Sequence, residues 1–361
     1  MSQVRVPAPA SGSDGIAAMS AKQQYSEVMD AYLDRAISRE AQAGVHLALG
    51  LLERGVPSEV VIVDVLAAAQ HEVGERWLRD EWTVADEHLV SGVTQKTLDA
   101  VSTAIEAPDN VGYVVVACAE GEWHSLPAQM LAEQLRSHGV AVAFLGASTP
   151  LEDVVKLLSR RRPDALAVSC TMPVNFAGVI RLVEAAHAHG IPVLTGGRAL
   201  GSDPQRAHRL GADGWGATVT EAVSVLDAWR SRPPLLSASP TTLDHAALHL
   251  DANASTLAAA AFDGLCTEFP HMRSYSDEEV ARTRHDLTYI VRFVAAASLV
   301  DCADVLTEFL AWLQMYLSHR GVSPKVLEAG LRVLAPLISG LDARGGAMLK
   351  AAIASEPLVT C

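Results

Sequence analysis

The residues best placed to do chemistry together are Glu122 and His124, in the segment Ala119-Glu120-Gly121-Glu122-Trp123-His124-Ser125 that follows an apolar run. A neutral imidazole is a good ligand for a mid-row transition metal. A carboxylate held against its second nitrogen orients the ring and raises its basicity. Glu-x-His supplies both groups within three residues. Two more segments, Ser169-Cys170-Thr171 and Gly196-Gly197, close later apolar runs, and Trp77 is followed after nine residues by Glu87-His88. Arg284, His285, Tyr289 and Arg292 share one long helical pattern and offer two cations, an imidazole and a phenol. The cysteines at 118, 170, 266, 302 and 361 show no paired spacing, which fits a reducing compartment and neither a zinc site nor a disulfide framework.

The elements that must position these groups change period along the chain. Residues 1–23, rich in Ala, Ser, Gly and Pro, read as a flexible N-terminus. Over 24–106 the apolar residues recur at helical spacing: Leu33, Ile37, Ala41, Val45, Ala48 and Leu52 form one stripe, and Val60–Trp77 forms another. Breaks at Gly55-Val56-Pro57 and near Glu81–Thr83 divide the segment into a four-helix bundle. Over 110–230 the pattern is short continuous apolar runs at Val111–Cys118, Val140–Leu145, Ala165–Cys170, Pro192–Thr195 and Asp213–Ala217, each followed by a helix length. Such alternation predicts a doubly wound, flavodoxin-like (Rossmann) parallel sheet. In an open sheet of this kind ligands sit beyond the carboxyl ends of the strands. Glu122, His124, Ser169, Thr171, Gly196 and Gly197 all fall there. Residues 231–241, including SRPPLLSASP, read as a linker. Over 242–361 only helical spacing returns, with helices expected at Thr242–Phe262, Asp277–Ala297, Ala303–His319, Pro324–Ile338 and Ala343–Ser355, and a capping box joining Ser276 to Glu279. The fold class expected is therefore α/β plus all-α.

Composition narrows the function. A formal net charge of −14 argues against nucleic-acid binding, which needs clustered Lys and Arg, and the one dense basic cluster, Arg160-Arg161-Arg162, closes a helix. The first twenty residues lack the basic start and apolar centre of a signal peptide, and no apolar run reaches membrane-spanning length. A cytoplasmic protein with no membrane or nucleic-acid partner is expected.

The strand-end motifs resemble those of cobalamin-binding Rossmann domains, which carry Asp-x-His-x-x-Gly, then Ser-x-Leu or Ser-x-Thr, then Gly-Gly. Here the series reads Glu122-Trp123-His124, Ser169-Cys170-Thr171 and Gly196-Gly197. The resemblance implies that His124 is the lower cobalt ligand with Glu122 behind it, that Ser169 and Thr171 flank the nucleotide tail of cobalamin, and that Gly196 and Gly197 clear room for it. Glu replaces the commoner Asp, and Pro127 stands where the family often has Gly, a residue that suits a first helical turn. The helical segment with Trp77 and Glu87-His88 resembles the cap of CarH-type photoreceptors, in which the Trp covers the upper face of adenosylcobalamin and the Glu and His contact the adenosyl group. Leu78 departs from that pattern: CarH-type proteins have a His there that ligates cobalt after illumination. His88, His71 or water would have to take its place. The DNA-binding part that CarH-type proteins place at the N-terminus is not expected here.

The C-terminal helices, with Arg282–Tyr289 and Phe309–Leu313, look globin-like, and a cobalamin module followed by such a domain resembles the photocobilins, light receptors that combine cobalamin with a bilin. A linear tetrapyrrole needs cations for its propionates and a polar group near its pyrrole nitrogens. Arg284 and Arg292, with His285 and Tyr289, are the candidates for biliverdin; Cys266 and Cys302 are the thiols to consider for attachment, with nothing marking either as reactive. The resemblance implies a sensor and no enzyme: adenosylcobalamin photolysis, biliverdin as second chromophore, and output through a signalling partner or a light-dependent homo-oligomer. Two other readings stand beside it. Corrinoid methyl carriers share the bundle-plus-sheet layout, and an interaction adaptor with a decayed site would keep the fold alone.

Overall fold

A computed structural model of the chain describes residues 16–38, 41–105, 112–236 and 244–355, with side chains from residue 25 onward except at Ala41. Residues 1–15 of the expected N-terminal segment, 237–243 around the expected linker, and 356–361 with Cys361 lie outside the described residues. The chain divides into two compact units, one of Met1–Tyr113 with Leu126–Phe144 and one of Val114–Ser125 with Leu145–Cys361.

In the first unit the helical spacing becomes α1 (Ile16–Ile37), α2 (Ala41–Glu53), α3 (Ser58–Val60), α4 (Ala68–Leu78) and α5 (Val84–Ala104). A π-helical stretch, Val61–Ala67, joins α3 to α4. Such stretches are rare and carry no signature in apolar spacing. Thr83 starts α5 with a capping box: Asp86 N donates to Thr83 Oγ1, and Thr83 N donates to Asp86 Oδ2. Tyr32, Leu33, Leu51, Ile62, Leu66 and Leu98 are fully buried in the core of the bundle. Burying each such leucine contributes roughly 1.5–3 kcal/mol. This unit also holds α6 (Leu126–Ser137) and β2 (Ala141–Phe144), and Met130 of α6 joins the same core.

The second unit carries β1 (Tyr113–Cys118), α7 (Leu151–Arg161), β3 (Ala165–Ser169), α8 (Phe176–His187), β4 (Val193–Gly196), α9 (Gln205–Arg209), β5 (Gly214–Gly216) and α10 (Val219–Ser231). Within this unit the strand order is β1-β3-β4-β5, and the pairs β1–β3, β3–β4 and β4–β5 are parallel. Val115, Val116, Leu166, Val193 and Leu194 are buried, as expected of strands covered on both faces.

The remaining helices are α11 (His245–Ala252), α12 (Ala254–Glu268), α13 (Asp277–Leu299), α14 (Asp304–His319), α15 (Pro324–Ser339) and α16 (Ala343–Ser355). The single helix expected over Thr242–Phe262 is instead two, broken at Asn253, whose ψ of 5 leaves the helical range. Ser276 and Glu279 form the expected capping box at the start of α13. Arg206 of α9, only 5% exposed, ties the sheet to α14 by donating to Ala199 O (3.2 Å) and Glu308 Oε1 (2.6 Å).

Candidate cofactor site

Parallel pairing places Cys118, Ser169, Gly196 and Gly216 side by side in one row at the carboxyl edge of the sheet. The loop after β1 turns at once. Glu122 N donates to Ala119 O (2.9 Å), and Gly121 has a φ of 86, where an added Cβ would come 3.0 Å from Asn175 Oδ1. Ser148 braces the turn: its Oγ accepts from Gly121 N (3.0 Å), and its own N donates to Glu122 O (3.0 Å).

That turn drives the Glu122 side chain inward to 0% exposure. Its Oε1 accepts from His124 N (3.0 Å) and lies 2.5 Å from His124 Nδ1. Its Oε2 accepts from Thr171 N (2.7 Å), Met172 N (2.8 Å) and Asn175 Nδ2 (3.2 Å). Burial pushes the carboxyl upward, but the hydrogen bonds from His124 and Met172 and the charge of His124 outweigh it and hold the group below the usual carboxylate range. An ionised carboxylate only accepts, so Nδ1 is the nitrogen that carries hydrogen. In the neutral ring that assigns the lone pair, and with it metal ligation, to Nε2. The His124 side chain is 56% exposed. Burial and the nearby Glu122 charge push the Cys118 thiol up to about 12 and raise Cys170 well above the usual thiol range, so neither supplies a thiolate.

Ser169 is buried beside this pair, and two buried polar atoms at the same edge have no partner: Thr171 Oγ1 and Trp215 Nε1. Orphaned buried polar atoms are uncommon and suit a ligand that brings its own hydrogen bonds. Among the described residues no group of three or more His, Cys, Asp or Glu is placed to hold a metal ion. A single oriented imidazole therefore fits a metal whose other positions are filled by its own macrocycle. Gly196 and Gly197 stand where the neighbouring backbone leaves no room for a side chain. Gly197 has a φ of 103, and its Cβ would stand 2.4 Å from Cys170 O, while that of Gly196 would stand 3.0 Å from Gly216 O.

In the helical unit, Glu87 and His88 adjoin, with Glu87 Oε2 2.5 Å from His88 Nδ1. A polar chain leads from them into the bundle. Ser91 Oγ is 2.7 Å from Glu87 Oε1 and 2.9 Å from Gln70 Oε1, Gln70 Nε2 donates to Thr94 Oγ1 (2.8 Å), and the buried Tyr32 hydroxyl is 3.1 Å from Thr94 Oγ1. Trp77, at the end of α4, is half-buried, and Leu78 is buried.

On α13, Arg284 lies over the Phe262 ring (5.2 Å) and His285 lies against Tyr289 (4.9 Å between ring centroids). Arg292 Nε donates to Asp251 Oδ1 (3.0 Å), and its Nη2 reaches Val174 O (3.5 Å), within the loop that Glu122 holds. A cavity of about 420 Å³ adjoins the same helix, but Thr283, Asp286, Leu287 and Ile290 line it, not the four residues above. Cys266 and Cys302 are buried. Sequence reasoning missed Asn175, Ser148 and Asp286. Only the spacing of 283, 286, 287 and 290 on one helix face pointed toward the last.

Comparison with known proteins adds to this geometry. Residues 112–224 match a B12 binding domain family, and residues 28–102 match a second B12 binding domain family. The chain carries a B12-binding module. The HTH-type transcriptional repressor CarH of Myxococcus xanthus is 34% identical over 151 residues, 41% of this chain and 50% of that protein. Trimethylamine corrinoid protein 1 of Methanosarcina mazei is 25% identical over 202 residues, 52% of this chain and 89% of that protein. The structure of the Methanosarcina barkeri monomethylamine corrinoid protein covers 56% of this chain at 19% identity, with a TM-score of 0.49. The chain thus spans half the length of the CarH repressor, and the helices after residue 244 lie beyond both matched families. Among the described residues no helix is long and apolar enough to cross a membrane.

Proposed function

We propose that the chain is a light sensor that takes adenosylcobalamin, with His124 Nε2 as the lower ligand to cobalt. The observation that carries this reading is the buried Glu122 carboxylate, which holds His124 Nδ1 with one oxygen and the 171–175 loop with the other. When bound, adenosylcobalamin supplies a weak cobalt–carbon bond that visible light breaks; holding and reading out that cofactor falls to the chain. In this reading Glu122 fixes the ring and its tautomer. Ser169, Thr171, Gly196 and Gly197 receive the nucleotide tail, and the orphaned Thr171 Oγ1 supports a polar occupant there. Trp77, Glu87 and His88 serve the adenosyl side, on the resemblance to CarH-type caps. Biliverdin is the proposed second chromophore in a globin-like C-terminal domain, with Arg284, His285, Tyr289 and Arg292 as its candidate contacts, on the resemblance to photocobilins. Output is proposed to pass through a partner or a change of oligomer, in the cytoplasm and without an enzymatic activity of its own.

One observation favours a second reading, a corrinoid methyl carrier: the match to trimethylamine corrinoid protein 1 spans 89% of that protein. Light separates the two. Protein loaded with adenosylcobalamin should change its visible spectrum on illumination and alter its elution on size exclusion. A spectrum and elution unchanged by light, with methylcobalamin turned over by an added methyltransferase, would replace the sensor with the carrier.

A further inference from the structure

We infer that Arg292 of α13 is a positioning residue for the candidate cobalt ligand: from the C-terminal helices it braces the 171–175 loop on which the Glu122 carboxylate closes. The inference rests on the cobalamin reading and gives that site a control outside both matched family segments, 28–102 and 112–224. Half of Glu122 depends on this loop. Its Oε2 accepts from Thr171 N, Met172 N and Asn175 Nδ2, so any drift of the loop moves the carboxylate whose other oxygen sets the His124 ring.

The sheet fixes the loop at one end, where Cys170 N donates to Gly196 O (3.0 Å) and Cys170 O accepts from Ala199 N (3.2 Å). Pro173, in its middle, has no N–H to give. At the far end Arg292 Nη2 reaches Val174 O (3.5 Å), while Arg292 Nε donates to Asp251 Oδ1 (3.0 Å) on α11. A guanidinium is a planar fork, so anchoring Nε on Asp251 fixes the direction in which Nη2 points. The Arg292 and Asp251 side chains are 31% and 38% exposed, so water screens their charges and the pair contributes direction more than attraction. Arg206 ties the adjoining turn to the same group of helices, joining Ala199 O to Glu308 of α14. Arg292 thus acts on cobalt only through Val174, Glu122 and His124, whatever else the C-terminal helices bind.

The test uses the full chain in the dark, with circular dichroism confirming that each variant is folded. Adenosylcobalamin affinity, followed by visible absorbance, should fall roughly three- to tenfold in Arg292→Gln. That is less than the change of about 10–100-fold for a direct partner of the ligand, because 3.5 Å is long for a hydrogen bond and Arg292 stands one step further out. Arg292→Lys should not restore it, since an ammonium lacks the fork. Added to Glu122→Gln, Arg292→Gln should cost little more, the loop's hold on His124 being already lost. Arg344→Gln is the control: Arg344 makes the same kind of link, to Ser298 O (3.0 Å) and Asp244 Oδ2 (3.1 Å), away from the loop, and its loss should leave the affinity at the parental value. In the cobalamin-free chain, hydrogen exchange at the Thr171 and Met172 amides should quicken in Arg292→Gln and not in Arg344→Gln. A parent chain that binds no adenosylcobalamin would overturn the cobalamin reading and this inference with it. A parent that binds, with Arg292→Gln equal to it, rescued by Lys, matched by Arg344→Gln or fully additive with Glu122→Gln, would overturn the inference alone.

Discussion

Replacing Glu122 with Gln tests the reasoning at its narrowest point, because the change keeps shape and removes charge. Three donors, Thr171 N, Met172 N and Asn175 Nδ2, face Oε2, and two, His124 N and Nδ1, face Oε1. The amide oxygen therefore turns toward the 171–175 loop, and the amide NH2 meets His124. There it confronts the backbone N–H, which loses its acceptor at about 1–3 kcal/mol. It also obliges Nδ1 to accept, which moves the ring hydrogen to Nε2 and removes the lone pair that would ligate cobalt. Loss of a carboxylate behind a ligating histidine typically weakens metal affinity about 10–100-fold. Cobalamin affinity, followed by visible absorbance, should fall by that factor in Glu122→Gln, with the melting temperature lowered and the far-ultraviolet spectrum retained. Glu122→Asp should recover part of the loss. An affinity and spectrum indistinguishable from the parent in folded Glu122→Gln would show that the carboxylate does not set the state of His124.

Gly197→Ala should destabilise the second unit by about 2 kcal/mol or more, measured by urea unfolding, since its φ of 103 and the Cys170 carbonyl 2.4 Å from its Cβ position both oppose a side chain. Arg206→Ala should cost about 2–3 kcal/mol in the same assay, because Ala199 O loses a charged donor and Glu308 its partner. Asp286 has a folded-state pKa above its unfolded value, so its penalty on folding is absent in acid and complete once pH exceeds the folded value. The melting temperature of Asp286→Asn should match the parent at low pH and rise above it as pH increases through that window.

The parallel sheet was legible because strands covered on both faces must be continuously apolar, and Val114–Val116 and Leu166–Val168 are. Glu122 and His124 were legible because orienter and ligand are neighbours in sequence. The clamp behind them was not, since Ser148, Thr171, Met172 and Asn175 reach Glu122 and its turn only through the fold. The π-helical stretch at Val61–Ala67 leaves the apolar stripe intact, and the break at Asn253 falls in an Ala- and Leu-rich run without Gly or Pro. Asp286 read as one more charge on a polar helix until α12, α14 and α15 enclosed the space beside it.

The claim that His124 ligates cobalt is tested most directly by electron paramagnetic resonance of the protein loaded with cobalamin and reduced to its paramagnetic cobalt state. With histidine labelled with nitrogen-15, the nitrogen splitting of the cobalt lines should change from triplets to doublets, and His124→Ala should abolish that response. Triplets that persist with labelled histidine would place a nitrogen of the cofactor's own base on cobalt and contradict the account.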